Sequence, residues 1–318
     1  MKFGVLQFFG WADRRIPLGQ VYERATERYE IMEDTGYDAV WLAEHHFSGY
    51  SVCPSVHMMA TLAAAKTERL RIGTAVSLAA FYHPLRLAEE IALLDHISGG
   101  RVNWGAGRGF ARGEFEAFGI PVEESAARFR ETVDVVLNAW TNERVSHHGE
   151  FFNFEGVEVL PKPLQAPHPP TWMAASSESA IEWAGGRGFS ILMDPHCSHA
   201  ELATKRKLYG DVMAANGHQA AERDIPMARL IAVGNSAEQA AEIARRGAEW
   251  TVGSYMQGRG EDPVKRYVDE VIIHGEPEAV VDKLQELKET AQMNYLLVSP
   301  LSQATFNLVT DKVLPKLM

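Results

Sequence analysis

The sequence predicts an α/β protein that forms one (β/α)8 barrel domain over residues 1–318, and three observations favour this fold class. Short β-type runs alternate with amphipathic helical patterns, which is typical of a parallel sheet covered by helices. The alternation gives eight strand–helix units, the number that closes such a sheet into a barrel. The length of 318 residues also suits a single barrel. A doubly wound open sheet of the Rossmann type is the alternative architecture.

The first half of the chain supplies four of these units. Strand-like runs are predicted at 3–8, 38–42, 71–77 and 101–106. Helical spacing of apolar side chains is predicted over 18–32, 54–66, 84–98 and 124–140. Pro84 suits the first turn of its helix, and the pair Gly99-Gly100 suits the end of that helix.

The second half continues the alternation. Strands are predicted at 170–175, 189–193, 227–233 and 295–298. Helices are predicted over 179–185, 201–215, from Ser236, from Pro277, and over 303–313. Ser236 stands three residues before Gln239, which is the pattern of a capping box.

Two segments interrupt the alternation and are predicted as excursions from the barrel. Residues 142–170 are expected to form a β-hairpin followed by a stiff return, because five prolines lie between Pro161 and Pro170. Residues 251–274 are the better candidate for a lid, since Gly253, Gly258 and Gly260 permit hinge-like backbone changes. An ordinary surface insertion is an equal alternative for both.

Composition excludes several classes of function. The chain has 31 Lys and Arg against 42 Asp and Glu, so its formal charge of −11 disfavours nucleic acid and anionic membranes as partners. It contains no signal-peptide pattern and no apolar run of the ~18 residues that a membrane span needs. Cys53 and Cys197 form no paired motif, so neither a disulfide framework nor a thiolate metal site is expected. A cytoplasmic location is the resulting expectation.

Candidate catalytic residues follow the second predicted strand, because functional side chains of a barrel project from the carboxyl ends of its strands. Glu44, His45 and His46 stand there. Adjacent histidines on extended backbone point in opposite directions and lack the spacing of a His-Glu-x-x-His zinc motif, so no metal is predicted. A histidine at this place could act as a general acid or base, although a structural, hydrogen-bonded histidine is the commoner case.

Two further strand ends suggest a phosphate site. Arg108 follows the fourth strand, and the guanidinium group offers a planar fork for phosphate oxygens. Ser176 and Ser177 follow the fifth strand at a helix start, where backbone N–H groups attract anions. Alternatively, Arg108 pairs with a nearby glutamate such as Glu114 or Glu116, and the serines only cap the helix, with Ser179-x-x-Glu182 or a near neighbour as the cap pattern. Because the two strands are consecutive, we predict that both groups bind one phosphate.

Several ordered motifs in this sequence resemble the bacterial luciferase-like flavin-dependent monooxygenases. The main ones are Trp-Leu-Ala-Glu-His-His-Phe at 41–47, Gly-Thr-Ala at 73–75, His-Pro-Leu-Arg-Leu-Ala-Glu at 83–89, Leu-Asp-x-x-Ser-x-Gly-Arg at 94–101 and Gly-Arg-Gly at 107–109. Weaker matches stand at 182–188 and 274–278. The likeness runs from residue 1 to about 210 and resumes near 275, so it is more specific than any single motif.

The resemblance implies a luciferase-like barrel that binds FMN as reduced FMNH2, supplied by a separate NAD(P)H:flavin reductase. Oxygen would add to the flavin as a C4a-(hydro)peroxide that oxidises a small, mostly apolar organic substrate. By the same resemblance, His45 is the catalytic histidine. The residues implied in cofactor binding are Glu44, Ala75, Val76, Arg108, Ser176 and Ser177, with a non-proline cis peptide at Ala75-Val76.

The sequence also departs from the family pattern. Ser176 replaces a family glutamate, and Gly107 replaces the reactive cysteine of luciferase and is expected to leave more room for the flavin ring. These departures do not support light emission or a long-chain aldehyde substrate. Alternative functions are a deazaflavin-dependent hydride-transfer oxidoreductase, a non-catalytic flavin-binding protein, and a metal-independent barrel hydrolase using Glu44 and His45.

The resemblance further suggests a homodimer formed through the helices near 55–65 and 84–98. Met58, Met59, Leu62 and Ile91 could supply its apolar surface, although all four could equally be core residues.

Overall fold

A computed structural model describes residues 1–254 and 262–318. The chain divides into two compact units, and each is described by itself. Unit 1 comprises Met1–Phe8, Thr35–Asp38 and Ala175–Met318, and unit 2 comprises Phe9–Asp34 and Ala39–Ala174. The predicted hinge residues Gly258 and Gly260 lie outside the described residues, so the lid at 251–274 stays a prediction, as does the single domain.

Strands and helices alternate in the order that the sequence predicts. The strands are β1 (Lys2–Gln7), β2 (Ala39–Leu42), β3 (Arg71–Thr74), β4 (Ser77–Leu78), β5 (Val102–Gly107), β6 (Val145–His148), β7 (Asn153–Val157), β8 (Thr171–Ala174), β9 (Ser190–Leu192), β10 (Pro226–Val233), β11 (Ile273–Gly275) and β12 (Tyr295–Pro300). The helices are α1 (Leu18–Asp34), α2 (Val56–Lys66), α3 (Pro84–Ile97), α4 (Arg112–Phe118), α5 (Ser125–Thr141), α6 (Glu178–Gly186), α7 (His199–Ala215), α8 (Ala237–Ser254), α9 (Pro263–Arg266), α10 (Pro277–Thr290) and α11 (Gln303–Leu308).

Unit 2 contains a parallel sheet in the order β2-β3-β5-β8, with β4 paired to the end of β5. All four residues of β2 are buried, as expected for strands covered on both faces. Trp41 on β2 is fully buried and lies against Gly73 on β3, where an added Cβ would stand 2.3 Å from the indole ring. Only glycine therefore fits at position 73 without moving the tryptophan.

Arg101 fixes the carboxyl ends of two helices in unit 2. Its guanidinium group makes five hydrogen bonds of 2.6–3.0 Å, four of them to backbone carbonyls. The acceptors are the carbonyl oxygens of Ala64, Thr67, Leu70 and Ser98 and the hydroxyl of Thr67. These groups follow or end α2 and α3, so one cation satisfies carbonyls that the helices leave unpaired.

The predicted hairpin in the excursion at 142–170 is confirmed, because β6 and β7 pair antiparallel. Glu131 on α5 accepts hydrogen bonds from the backbone N–H groups of residues 150–152 and contacts His147 Nε2 at 3.0 Å. Burial raises the pKa of Glu131, but hydrogen bonds from Phe152 and His147 outweigh it and leave that pKa below its usual value. The carboxylate thus holds the hairpin turn against α5.

Unit 1 supplies the other four strands of the predicted eight. Parallel pairing joins β10 to β12 and β12 to β1. An isolated parallel bridge joins Met193, which directly follows β9, to Met227 on β10. The short strand β11 pairs with the end of β10 and was not predicted. The parallel strands that alternate with helices confirm the α/β fold class. Each unit contains four of the eight predicted strands.

Two details of the helices decide between alternatives that the sequence left open. Ser177, a near neighbour of Ser179, is the N-cap of α6, and its hydroxyl accepts the Ala180 N–H at 3.3 Å. Ile91 on α3 is fully buried, so it is a core residue and contributes no surface, whereas Met58 is 75% exposed. Within residues 1–254 and 262–318, none of the helices combines the length and apolar character that crossing a membrane requires.

Candidate functional site

Unit 2 brings together the carboxyl ends of β2, β3 and β5, where most of the predicted site residues lie. Parallel strands end at the same edge of a sheet, so side chains that follow them in sequence meet there. Glu44 contacts the backbone N–H of Leu78 at 3.2 Å, which joins the end of β2 to the segment after β3. Val76 lies against Gly107 at the end of β5. The five predicted residues of this unit therefore form one region.

Glu44 is a buried carboxylate held by three donors. It is 2% exposed and lies 3.0 Å from both His46 Nε2 and the hydroxyl of Tyr82, in addition to the Leu78 N–H. Burial, followed by the charge of Glu44, raises the pKa of Tyr82 well above its usual value. The same two causes raise the pKa of the Cys53 thiol to about 12. Cys53 is therefore a protonated, unreactive thiol near pH 7.

His45 contacts a second buried carboxylate, that of Glu114. Its Nδ1 stands 3.3 Å from Glu114 Oε1, and the same oxygen accepts the backbone N–H of His46 at 2.9 Å. The side chains of His45 and Glu114 are only 11% and 6% exposed. Tyr50 contacts the histidine ring edge-on, with the ring centroids 5.3 Å apart. The ring of His45 is therefore held in one orientation.

The two adjacent histidines thus pair with two different carboxylates, His45 with Glu114 and His46 with Glu44. This agrees with the expectation that neighbouring histidines on extended backbone point in opposite directions. When Glu114 is ionised, Nδ1 of His45 carries the hydrogen that it donates to this carboxylate, and Nε2 is the ring nitrogen that exchanges a proton with a ligand. The arrangement suits a positioned general acid or base. Within residues 1–254 and 262–318, no His, Cys, Asp and Glu cluster could hold a metal ion.

The peptide bond between Ala75 and Val76 is cis, as the family resemblance implies. Val76 fills the space beside Gly107, because an added Cβ at position 107 would stand 2.3 Å from Val76 Cγ2. The side chain of Val76 therefore occupies the space where a side chain at position 107 would lie. The expectation that Gly107 leaves more room for a flavin ring stays a prediction.

Arg108 directly follows Gly107, the last residue of β5, and is exposed. Its guanidinium group donates to Ser125 Oγ at 3.2 Å, and across the described ranges it makes no ion pair with a carboxylate. The alternative pairing with Glu114 or Glu116 is wrong, because Glu114 contacts the histidine segment and Glu116 binds Arg112 at 2.7 Å. Arg108 therefore keeps most of its donors for an anion.

Ser176 and Ser177 lie in unit 1 and are exposed. Ser177 performs the ordinary capping role at the start of α6. Its hydroxyl also lies 3.2 Å from Ser179 Oγ. A shared contact of this turn and Arg108 with one phosphate stays a prediction.

Three phenylalanine rings contact His46, and a fourth packs against one of them. The ring of His46 meets Phe118 edge-on at 4.8 Å and lies 5.7 Å from Phe47 and 6.1 Å from Phe81. Phe118 in turn lies 5.3 Å from Phe47 and 4.9 Å from Phe81, and Phe115 completes the group at 4.7 Å from Phe81. We call Phe47, Phe81, Phe115 and Phe118 the aromatic cluster.

Sequence reasoning missed Glu114 as a partner of His45, because it missed α4. This helix has only seven residues, too few for a clear period. One signal was present: Phe115 and Phe118 are three residues apart, and Gly119, which adopts a φ of 68°, directly follows the helix. Tyr82 was also missed, since a tyrosine outside a motif carries no chemical signal of its own.

Fold and site together define an α/β enzyme with a histidine site at the strand ends, and comparison with known proteins gives its family. The family model described as luciferase-like monooxygenase matches residues 1–292. The chain belongs to this family, as the resemblance suggested, and its fold is the luciferase-like (β/α)8 barrel, not the open sheet.

Curated relatives include oxygenases. The oxygenase component of a flavin-dependent trigonelline monooxygenase from Acinetobacter baylyi is 33% identical over 199 residues, or 62% of this chain and 54% of that protein. An alkanal monooxygenase alpha chain from the Kryptophanaron alfredi symbiont is 27% identical over 245 residues, 77% of this chain and 68% of that protein. For two uncharacterised Sinorhizobium fredii proteins, the match spans 63% of their length.

Solved structures agree over the full length. A monooxygenase from Streptomyces bottropensis has a TM-score of 0.89 and 28% identity, with 100% of both chains covered. The oxygenating constituent of 3,6-diketocamphane monooxygenase from Pseudomonas putida, solved with FMN, has a TM-score of 0.83 at 20% identity and covers 99% of this chain and 98% of its own. A coenzyme F420-dependent tetrahydromethanopterin reductase from Methanopyrus kandleri shares the fold with a TM-score of 0.79 at 19% identity, covering 100% and 99% of the two chains.

Proposed function

We propose that this protein is the oxygenase component of a two-component monooxygenase that uses reduced FMN. In the overall reaction, O2, reduced FMN and a small, mostly apolar organic substrate give the oxygenated substrate, oxidised FMN and water. The observation that carries this proposal is the pair of buried histidine–carboxylate contacts at the strand ends. Family membership supports it, and so do two monooxygenase relatives that are 33% and 28% identical.

His45 is the proposed catalytic residue. Glu114 holds its Nδ1, so Nε2 is the atom that donates a proton to, or accepts one from, the reacting oxygen species and the substrate. Glu44 fixes the backbone of Leu78 and the ring of His46, so it positions the segment that follows the cis peptide. The low exposure of His45 and Glu114 limits the entry of water, which keeps their hydrogen bond strong.

The donor set fits a flavin nucleotide. Arg108 offers an exposed guanidinium group with no carboxylate partner in the described part of the chain, which suits a phosphate dianion. We propose that Arg108 binds the FMN phosphate, with backbone N–H groups at Ser176 and Ser177 as further donors, and that Ala75 and Val76 face the flavin ring. When bound, reduced FMN supplies the two electrons that activate O2. A separate NAD(P)H:flavin reductase would deliver it.

Titration with reduced FMN under anaerobic conditions tests this function. Arg108→Ala should weaken binding by about 30-fold, the scale of a lost charge-assisted hydrogen bond of about 2 kcal/mol. Arg112→Ala is the matched control, because Arg112 is an exposed neighbour that pairs with Glu116. Equal affinities for the two variants would contradict the phosphate role. Preferential binding of reduced F420 would instead favour the deazaflavin-dependent hydride transfer.

Exchange of His45 tests the catalytic role. His45→Ala should slow substrate oxygenation at saturating reduced FMN, while the dissociation constant for reduced FMN stays within about twofold. His148→Ala is the control, because His148 is an exposed histidine that pairs with Glu155 on the hairpin. Unchanged turnover in His45→Ala would overturn this assignment.

We also propose a homodimer through α2 and α3. Met58, Leu62, Leu93 and Ile97 on these helices are exposed, and large exposed apolar groups mark interaction surfaces. Met58→Glu with Leu93→Glu should convert the dimer to a monomer in sedimentation. A wild-type protein that is already monomeric would refute the proposal.

A further inference from the structure

Unit 1 contains a cavity on the outer face of α7. It is lined by α7 from Ala203 to Asp211 and by residues 290–292, which lead from the end of α10 towards β12. Its volume is about 550 Å³, within the range of about 300–1,000 Å³ that is usual for small-molecule sites. None of the lining residues belongs to the candidate site described above. The cavity is therefore a separate place in the molecule.

Arg206 on α7 is a buried cation in the wall of this cavity. The residue is only 7% exposed, and in the described part of the chain its guanidinium group makes no hydrogen bond and no ion pair. Its Nη1 lies over Gly210, where an added Cβ would stand 3.4 Å away, so the group lies along the cavity wall. Its Cζ lies 6.0 Å from the centroid of the Tyr209 ring, at the limit of a cation–π contact.

The two neighbouring lysines show how unusual this is. Lys205 contacts Asp194 at 3.5 Å, and Lys207 contacts Asp211 at 2.6 Å. Arg206 is the most buried of the three cations, yet it alone has no carboxylate partner in the described ranges. Burial lowers the pKa of Arg206, although an arginine still stays charged near pH 7. A buried charge without a partner is unfavourable, so its presence points to a ligand of opposite charge.

The groups around Arg206 favour a single negative charge. Lys207 is already neutralised by Asp211, and the hydroxyls of Thr204 and Thr290 donate to carbonyl oxygens of their own helices at 3.1 and 2.9 Å. Thr290 also ends α10, where the helix carries partial negative charge. A phosphate dianion would lack donors here. A carboxylate, in contrast, matches the planar fork of one guanidinium group.

Gln292 supplies a further donor on the opposite wall. It adopts a φ of 48°, a left-handed conformation that glycine or asparagine adopts with less strain. Its side chain is exposed and lines the cavity, and its amide group can donate two hydrogen bonds. A glutamine at this turn therefore places a neutral donor where a carboxylate on Arg206 would need one.

We propose that this cavity binds a small organic acid through its carboxylate, with Arg206 as the bidentate donor and Gln292 as a second donor. The carbon skeleton of the acid would lie against Ala203 and Ala291, which line the same cavity. This proposal goes beyond the proposed function and does not depend on it, because binding requires neither flavin nor oxygen.

Calorimetric titration of the full chain with two acids and their neutral amides tests the inference. Hexanoate and benzoate should bind at least tenfold more tightly than hexanamide and benzamide, and at least tenfold more tightly than inorganic phosphate. Arg206→Met should raise the dissociation constants of both acids at least tenfold. Arg206→Lys should restore only part of the affinity, because it keeps the charge and loses the planar fork. Arg246→Met is the matched control, since Arg246 is an exposed arginine of the same unit that pairs with Glu242 at 2.6 Å.

Thermal unfolding gives a second readout. Without ligand, Arg206→Met should unfold at a midpoint equal to or above that of the wild type, because an apolar side chain replaces an unpaired buried charge. Hexanoate should raise the midpoint of the wild type and of Arg246→Met, and it should leave that of Arg206→Met unchanged.

Four outcomes would overturn the proposal. Equal affinity for acids and amides would remove the role of the carboxylate, and tighter binding of inorganic phosphate would give the cavity a different ligand. Unchanged acid binding in Arg206→Met would place the acid elsewhere. A lower midpoint for ligand-free Arg206→Met, with no shift of the wild type by hexanoate, would show that Arg206 is paired within the protein. Failure of the proposed function is separate, because it appears as absent binding of reduced FMN while the acids still bind.

Discussion

Replacing Gly107 with alanine should destabilise unit 2 by pushing Val76 out of place. The new Cβ would stand 2.3 Å from Val76 Cγ2, whereas carbon atoms in contact prefer about 3.5–4.0 Å. An overlap of this size forces a shift of the cis-linked Ala75-Val76 segment, and overpacking of this kind costs about 1–3 kcal/mol. Alanine also restricts the backbone of the unfolded chain more than glycine does, and this effect offsets less than about 1 kcal/mol of the cost. We expect a net loss of about 1–2 kcal/mol in the free energy of unfolding.

The double variant Gly107→Ala with Val76→Ala tests directly whether Val76 causes this loss of stability. Without Cγ2, the nearest atoms to the new Cβ are Val76 Cβ at 3.2 Å and Ala174 Cβ at 3.4 Å, which small shifts accommodate. In the double variant, most of the cost of Gly107→Ala should therefore disappear, giving a coupling of about 1 kcal/mol or more.

Urea unfolding of the wild type, both single variants and the double variant measures this coupling. Gly113→Ala is the control, because nothing lies within 4 Å of its added Cβ on α4, and it should be neutral or stabilising. Strictly additive effects, or a Gly107→Ala protein as stable as Gly113→Ala, would refute the steric argument.

Three further predictions concern other parts of the molecule. Arg101→Met should lower the free energy of unfolding by about 2–4 kcal/mol in urea titrations, because it leaves several buried carbonyls without donors, and Arg101→Lys should restore only part of it. Iodoacetamide should label neither Cys53 nor Cys197 in the native protein at pH 7.5, since both are buried and burial raises the pKa of each thiol; rapid native labelling, followed by mass spectrometry, would contradict this. The pKa of Glu131 is lower in the folded protein than in the unfolded chain, so its carboxylate stabilises the fold above about pH 4.5, and this stabilisation is lost as pH falls through the folded pKa. The difference in unfolding free energy between wild type and Glu131→Gln should therefore shrink on acidification. A constant difference from pH 7 to pH 3 would show that the charge is irrelevant.

Local sequence pattern was sufficient to predict most of the fold. The helix from Pro84 was predictable because proline and glycine mark its two ends, and observed α3 begins at Pro84 and ends at Ile97. The run at 71–77 was predicted as one strand, but β3 ends at Thr74 and Ser77-Leu78 forms a separate short strand. The cis bond between Ala75 and Val76 separates them, and periodicity alone does not register a cis bond.

The candidate site was predictable only in part. Glu44, His45 and Arg108 follow strands directly, so their positions come from the barrel rule and the family motifs. The partner of His45 was not predictable, because Glu114 lies 69 positions away and either carboxylate of the Glu114–Glu116 pair could have faced Arg108. Long-range pairing depends on the tertiary packing of α4, which single-sequence patterns do not contain.

The pairing of β1 has a consequence for synthesis on the ribosome. Lys2 through Val5 pair in parallel with Tyr295 through Val298, so β1 leaves the ribosome long before its partner strand β12. A contact between such distant segments forms slowly, because a very long loop must close first. Until β12 emerges, the mostly buried apolar face of β1 lies open to chaperones and to other nascent chains. Translation speed over the segment that encodes β12 should therefore influence the yield of folded protein.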